Sequence, residues 1–135
     1  MESKSYYENM FIKADSLISD GNISDGKEIL EEILAQYPDF AKAHNHLGWI
    51  HYNKLSDYDR GIYHYNLAMK FNPKYAAPYL NLTYLLIDIG RYEEAKKHID
   101  YTFKNLENLD TCTLNSELGR IAECEMDFIN AYKYY

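Results

Sequence analysis

The side chains best suited to chemistry in this chain of 135 residues are five histidines, His44, His46, His51, His64 and His98, and two cysteines, Cys112 and Cys124. Imidazoles and thiolates ligate metals, and imidazoles paired with carboxylates move protons. The spacings speak against both uses. His44 and His51 are seven residues apart, about 10 Å along a helix axis, which is too far to share an ion without further ligands. His46 points elsewhere. No histidine pair stands at i,i+4 and no Cys-x-x-Cys occurs. Glu28, Glu31, Glu32, Glu93 and Glu94 fall on the outer faces of predicted helices, where they solvate the surface and pair locally. There is no glycine-rich phosphate loop, and no nucleophile stands beside a base and an orienting group. The expectation is a protein without catalytic residues, metal or cofactor, whose histidines belong to the core or to helix seams.

The totals narrow the remaining classes. Almost half of the residues are hydrophobic, enough for a real core. Acidic side chains outnumber basic ones, giving a formal charge of -7, and the longest basic run is Lys96-Lys97. A nucleic-acid surface or an anionic membrane surface needs clustered cations, so neither is expected as a partner. No stretch approaches the roughly 18 apolar residues of a membrane span. The opening "MESKSYYENMFIKADSL" mixes charged and apolar residues and reads as part of the fold rather than as a secretory leader. Two cysteines without a disulfide framework fit a reducing compartment, so a cytoplasmic setting is expected. Tyrosine is abundant, with 15 copies, and suits half-buried seams and binding surfaces because its ring is apolar and its tip polar.

The elements that must position these groups are helices. Apolar residues recur with helical period throughout, and nothing reads as an alternating strand. Breaks fall at Asp20-Gly21-Asn22, Tyr37-Pro38-Asp39, Leu55-Ser56-Asp57, Asn72-Pro73-Lys74, Ile89-Gly90-Arg91 and between Asn105 and Asp110. They delimit about eight helices. Asp25 followed by Glu28 predicts a capping box, and Pro78 predicts a first helical turn.

The breaks come in pairs, with Pro38 and Pro73 35 residues apart. Aligned on this period, the chain reads Met10-x2-Lys13-Ala14-x2-Leu17…Gly26-x3-Leu30…Pro38, then His44-x2-Leu47-Gly48-x2-His51…Gly61-x3-Tyr65…Pro73. Next come Tyr79-x2-Leu82-Thr83-x2-Leu86…Ala95-x3-Ile99 and Asn115-x2-Leu118-Gly119-x2-Ala122…Ala131-x3-Tyr135. The unit starts are 34, 35 and 36 residues apart. In this pattern the chain resembles the tetratricopeptide repeat (TPR) family. The resemblance implies an all-α, right-handed superhelical solenoid of helix hairpins in one domain, with units near 7–40, 41–75, 76–111 and an incomplete 112–135. The small residues Ala14, Gly48 and Thr83, facing Gly26, Gly61 and Ala95, let paired helices approach closely.

The resemblance also implies a concave groove lined by the first helix of each unit. At its spacing the groove positions are Phe11, Asp15, Ile18 and Ser19; Lys42, Asn45, Trp49, Tyr52 and Asn53; Leu80, Asn81, Tyr84, Ile87 and Asp88; and Arg120. Trp49, Tyr52, Leu80 and Tyr84 would floor it, edged by amides. The implied partner is a protein or peptide segment of unknown identity. One TPR subclass grips a C-terminal carboxylate with lysines, asparagines and an arginine. Here the matching positions hold Phe11, Asp15, His46, Ala77 and Asn81, so that cationic clamp is absent. Two alternatives stand beside the groove reading: a structural module for self-association or for docking within a larger protein, and a small TPR-type secretion chaperone. The chain stops within its fourth pattern, on tyrosines where a solenoid needs a polar cap. A fragment of a longer protein is expected, or else a homodimer through the open C-terminal end.

Overall fold

The computed structural model describes residues 3–106, all helix and turn with no strand among them. The helices are α1 (Lys4–Ser19), α2 (Ile23–Gln36), α3 (Ala41–Asn53), α4 (Tyr58–Phe71), α5 (Ala76–Asp88) and α6 (Tyr92–Asn105). The predicted fourth unit, with Arg120 and both cysteines, lies outside the described residues, as does the C-terminal dimer surface. The chain divides after Pro78 into two compact units.

The turns follow from local chemistry. Gly21 takes φ +89° at the end of α1. Its N–H bonds the carbonyl of Ile18 at 3.1 Å, and the N–H of Asn22 bonds that of Leu17 at 2.8 Å. This is a left-handed glycine cap, which satisfies carbonyls that the helix leaves open. Gly90 repeats it after α5, with φ +78° and bonds from Gly90 to Ile87 and from Arg91 to Leu86. The same cap resets the start of α2. Asn22 follows the glycine directly as N-cap residue, so Asp25 falls inside the first turn and the predicted capping box does not form. Asp57 does cap α4, accepting from the N–H of Arg60 at 3.2 Å. Its turn is one residue longer than the two glycine turns, and Ser56 takes the left-handed φ of 51° there.

In the first unit, α1 packs on α2, α3 on α4, and α2 on α3. The shared core is Ala14, Leu30, Ile33, Phe40, Ala43, Leu47 and Ile50, all buried. Each Leu or Ile so buried contributes about 1.5–3 kcal/mol. The small positions sit where the helices approach. A Cβ on Gly26 would lie 3.2 Å from the carbonyl oxygen of Ala14, and one on Gly48 would lie 3.2 Å from that of Gly61. Beside Gly48 the ring of Tyr65 fills the notch, 2.7 Å from the position of the missing Cβ.

Tyr65 is wholly buried and its hydroxyl has no hydrogen-bond partner among the described residues. Burial pushes the phenol's pKa upward, so it stays neutral. A buried hydroxyl without a partner carries its desolvation cost uncompensated, about 1–3 kcal/mol. Tyr65→Phe keeps the ring and removes that cost. We expect it to stabilise the protein by about 1 kcal/mol, read as a higher urea midpoint with an unchanged slope.

The second unit uses its histidine as a seam residue. His98 is buried and donates from Nε2 to the carbonyl of Tyr79 at 2.8 Å, with the two rings stacked 6.1 Å apart. Burial lowers its pKa, against the opposing effect of that hydrogen bond. Thr83 donates to the same carbonyl at 2.9 Å.

Candidate functional site

α3 has two working faces. One is spent on α4, through His44, Gly48 and His51. The other borders a cleft of about 550 Å³ lined by Asp15, Ile18 and Ser19 of α1, Gly21 and Ile23 of the following turn and helix, and Asn45, His46, Trp49 and Lys54. That volume is within the usual range for small-ligand pockets.

Trp49 is half-buried. Part of its ring packs on the core of the first unit, and Lys54 lies over the ring with Nζ 5.6 Å from its centroid. Cation–π contact at a wet site contributes about 0.5–1 kcal/mol, so Lys54 is a displaceable cover. At the cleft's centre His46 Nε2 stands 2.7 Å from the Asp15 carboxylate, tying α3 to α1. Phe11 meets the other side of His46 edge-on, with ring centroids 4.7 Å apart, and Lys42 lies over Phe11 at 5.8 Å. Lys42 also faces Glu8, at 3.9 Å. Asn45 is buried, and its amide donates to the hydroxyl of Tyr75 at 3.3 Å. Burial raises the Tyr75 pKa, with the Asn45 bond opposing and the nearby Asp15 charge adding.

The expected groove residues thus part company. Asp15, Ile18, Ser19, Asn45 and Trp49 line one cleft; Phe11 and Lys42 continue its face past His46. Tyr52 leans instead toward α4, its ring 6.2 Å from that of Tyr58. Asn53 turns its amide back to the carbonyl of Trp49, at 3.2 Å, and closes the end of α3. On α5, in the second unit, Leu80, Asn81 and Tyr84 are half-buried and Asp88 is exposed. Ile87 is only 3% exposed and offers little surface.

Sequence reasoning set His46 aside and overlooked Lys54. For His46 the signal was present: it precedes Trp49 by three residues, one turn along the same face. Lys54 follows by five, at the C-cap of α3, where helical spacing gives no sign of the contact. Between His44 and His51, expected to stand too far apart to share an ion without further ligands, lies a third ring. His64 of α4 stacks between them, with ring centroids 5.3 Å from His44 and 5.5 Å from His51. Among the described residues, no three His, Cys, Asp or Glu side chains form a group that could hold a metal ion. No helix among them is long and apolar enough to cross a membrane.

No family model matches the sequence, and no curated protein matches it. Solved structures do match. MamA superposes with a TM-score of 0.81 at 19% identity, over 95% of this chain and 68% of that one. PilF of Pseudomonas aeruginosa gives 0.72 at 15% identity, over 95% of this chain and 57% of its own. The TPR2B domain of yeast Sti1, solved in complex with pHsp70, gives 0.65 at 15% identity, over 95% of this chain and 94% of that one. These are TPR-containing proteins, and the six helices here fit three such repeats. The likeness at these identities is one of fold, and the fold is that of TPR helix hairpins.

Proposed function

We propose that this TPR-fold chain is a protein-interaction module, and that the cleft beside Trp49 holds a segment of a partner protein. One observation carries the reading. The largest aromatic ring of the chain is left half-uncovered in a cleft of mixed apolar and polar lining, although α3 already satisfies its packing on the opposite face. Tryptophan in such a setting is the residue type most often found to dominate binding energy. Ile18 and Ile23 extend the apolar floor, while His46, Asp15 and Lys54 supply donors and acceptors for a backbone.

The charge pattern selects among partners. A free C-terminal carboxylate would meet Asp15, and the imidazole nearest to it is already engaged by that carboxylate. An internal segment carrying an aliphatic or aromatic anchor fits better, its anchor displacing Lys54 from the indole.

The test is a displayed peptide library selected on the wild-type chain, with each binder then measured against Trp49→Ala and Ile18→Ser. Far-UV circular dichroism checks that both variants keep their helices. We expect Trp49→Ala to weaken binding about 30-fold or more, the loss of about 2 kcal/mol typical of a dominant contact. Binders indifferent to both substitutions would place the interaction elsewhere and end the proposal.

A further inference from the structure

We propose that the seam between α3 and α4 is a proton-sensitive latch, closed by the stacked imidazoles of His44, His64 and His51 while they are neutral and loosened when acid charges them. The hydrogen bonds define the proton positions. The carbonyl of Pro38 can only accept, so the 2.8 Å contact requires a proton on Nε2 of His44. Neutral His44 therefore presents a bare Nδ1. The Nδ1 of His64 stands 3.1 Å away and must be the donor. One proton occupies the space between these two nitrogens. A second has no room there, so both rings cannot be charged with the seam closed. His51 lies parallel to His64, at 6° between planes, and its buried Nδ1 has no hydrogen-bond partner among the described residues.

The surroundings do little to neutralise added charge. From α2 the stack faces Lys27 and Glu31, which are bound to each other at 2.9 Å. From the start of α4 it faces Asp57 and Arg60, 3.5 Å apart. Asp57 is the carboxylate nearest to the stack, 4.0 Å from Nδ1 of His51. Phe71 also stacks on His44, 5.8 Å between centroids. A cavity of about 440 Å³ beside His51 and His64, lined also by Glu31 and Arg60, gives water and protons access.

Burial, with the neighbouring histidines adding, lowers the pKa of His64 to about 4, and burial also lowers those of His44 and His51. The unfolded chain therefore binds protons that the folded chain refuses. The stability held by the latch is complete above the ordinary histidine value of 6.5 and is lost as pH falls from there toward about 4.

The experiment compares thermal midpoints at neutral pH and near pH 5 for the wild type, His64→Phe and His64→Asn. Phenylalanine keeps the stack on His51, and asparagine keeps a donor toward His44; neither titrates. We expect the wild-type midpoint to fall by about 10 °C on acidification, and by less than half of that in each variant. His98 of the second unit is common to all three proteins and cancels in the comparison. Should a variant fail to fold, histidine NMR of the wild type decides: His64 protonated on Nδ1 at neutral pH and titrating below about 5 supports the latch. An ordinary titration of His64, or an equal fall in all three proteins, overturns it.

Discussion

Gly48→Leu is expected to lower the thermal midpoint of the first unit by about 10 °C or more. The added Cβ alone would sit 2.7 Å and 2.8 Å from two ring carbons of Tyr65 and 3.2 Å from the carbonyl oxygen of Gly61. Neither neighbour can yield. Tyr65 is sealed on all sides, and the carbonyl belongs to the α4 backbone. Alanine at this position would recover about 1 kcal/mol of helix propensity, against an overpacking cost of about 1–3 kcal/mol, so Gly48→Ala should destabilise by up to about 2 kcal/mol. Leucine carries three further carbons into the same notch and forces α3 from α4. At roughly 4 °C per kcal/mol, the upper end of that cost gives the stated shift. Gly26→Ala is the informative contrast. Its new Cβ would meet Ile18 Cγ1 at 2.6 Å and the Ala14 carbonyl oxygen at 3.2 Å, but Ile18 is half-buried where Tyr65 is sealed, so the side chain has space to shift. A thermal or urea melt followed by far-UV circular dichroism ranks the three variants, and a Gly48→Leu midpoint equal to wild type would refute the packing account.

The same contact can be emptied from the other side. Tyr65→Ala removes a fully buried ring and leaves a cavity walled by α3, for which large-to-small aromatic substitutions cost about 3–5 kcal/mol. Single domains are stable by only about 5–15 kcal/mol, so a substantial unfolded population is the expected result, seen as a lower urea midpoint. The partners should also be coupled. In a Tyr65→Leu background the ring carbons that clash with a new Cβ are gone and the Gly61 carbonyl oxygen at 3.2 Å remains, so Gly48→Ala should cost less than it does beside the tyrosine. A double-mutant cycle measures this directly. Strict additivity of the two changes would show that Gly48 and Tyr65 do not share the notch.

Much of this arrangement is legible in the amino-acid order, because the small positions announce where helices cross. Gly48 against Gly61 and Gly26 against Ala14 follow from the repeat alone, and so do the pairing of α1 with α2 and of α3 with α4. What the order does not reveal is rotation. Each residue turns a helix by about 100°, so a modest error in phase exchanges Tyr52 and Asn53 for His46 on the face that borders α1. Only the seating of α3 over both α1 and α2 settles that phase. Start signals fail for a related reason. Asp25 and Glu28 have capping chemistry, but the glycine turn at Gly21 delivers the chain to helical geometry at Ile23, before Asp25 is reached. The histidine stack was within reach of inference. With Gly48 seated on Tyr65, His44 and His51 stand about one turn to either side, and His64, adjacent to Tyr65, is brought between them.

Trp49 has a practical consequence. It is the chain's lone indole among 15 tyrosines, so red-edge excitation isolates the emission of one chromophore whose position is known. Its solvent-facing side borders the cleft, and its own helix carries two of the three stacked imidazoles. A blue shift on adding peptide would register a dry lid arriving over the ring, and a red shift on adding acid would register the scaffold beneath it giving way. The unlabelled protein is thus its own fluorometer for two separate events.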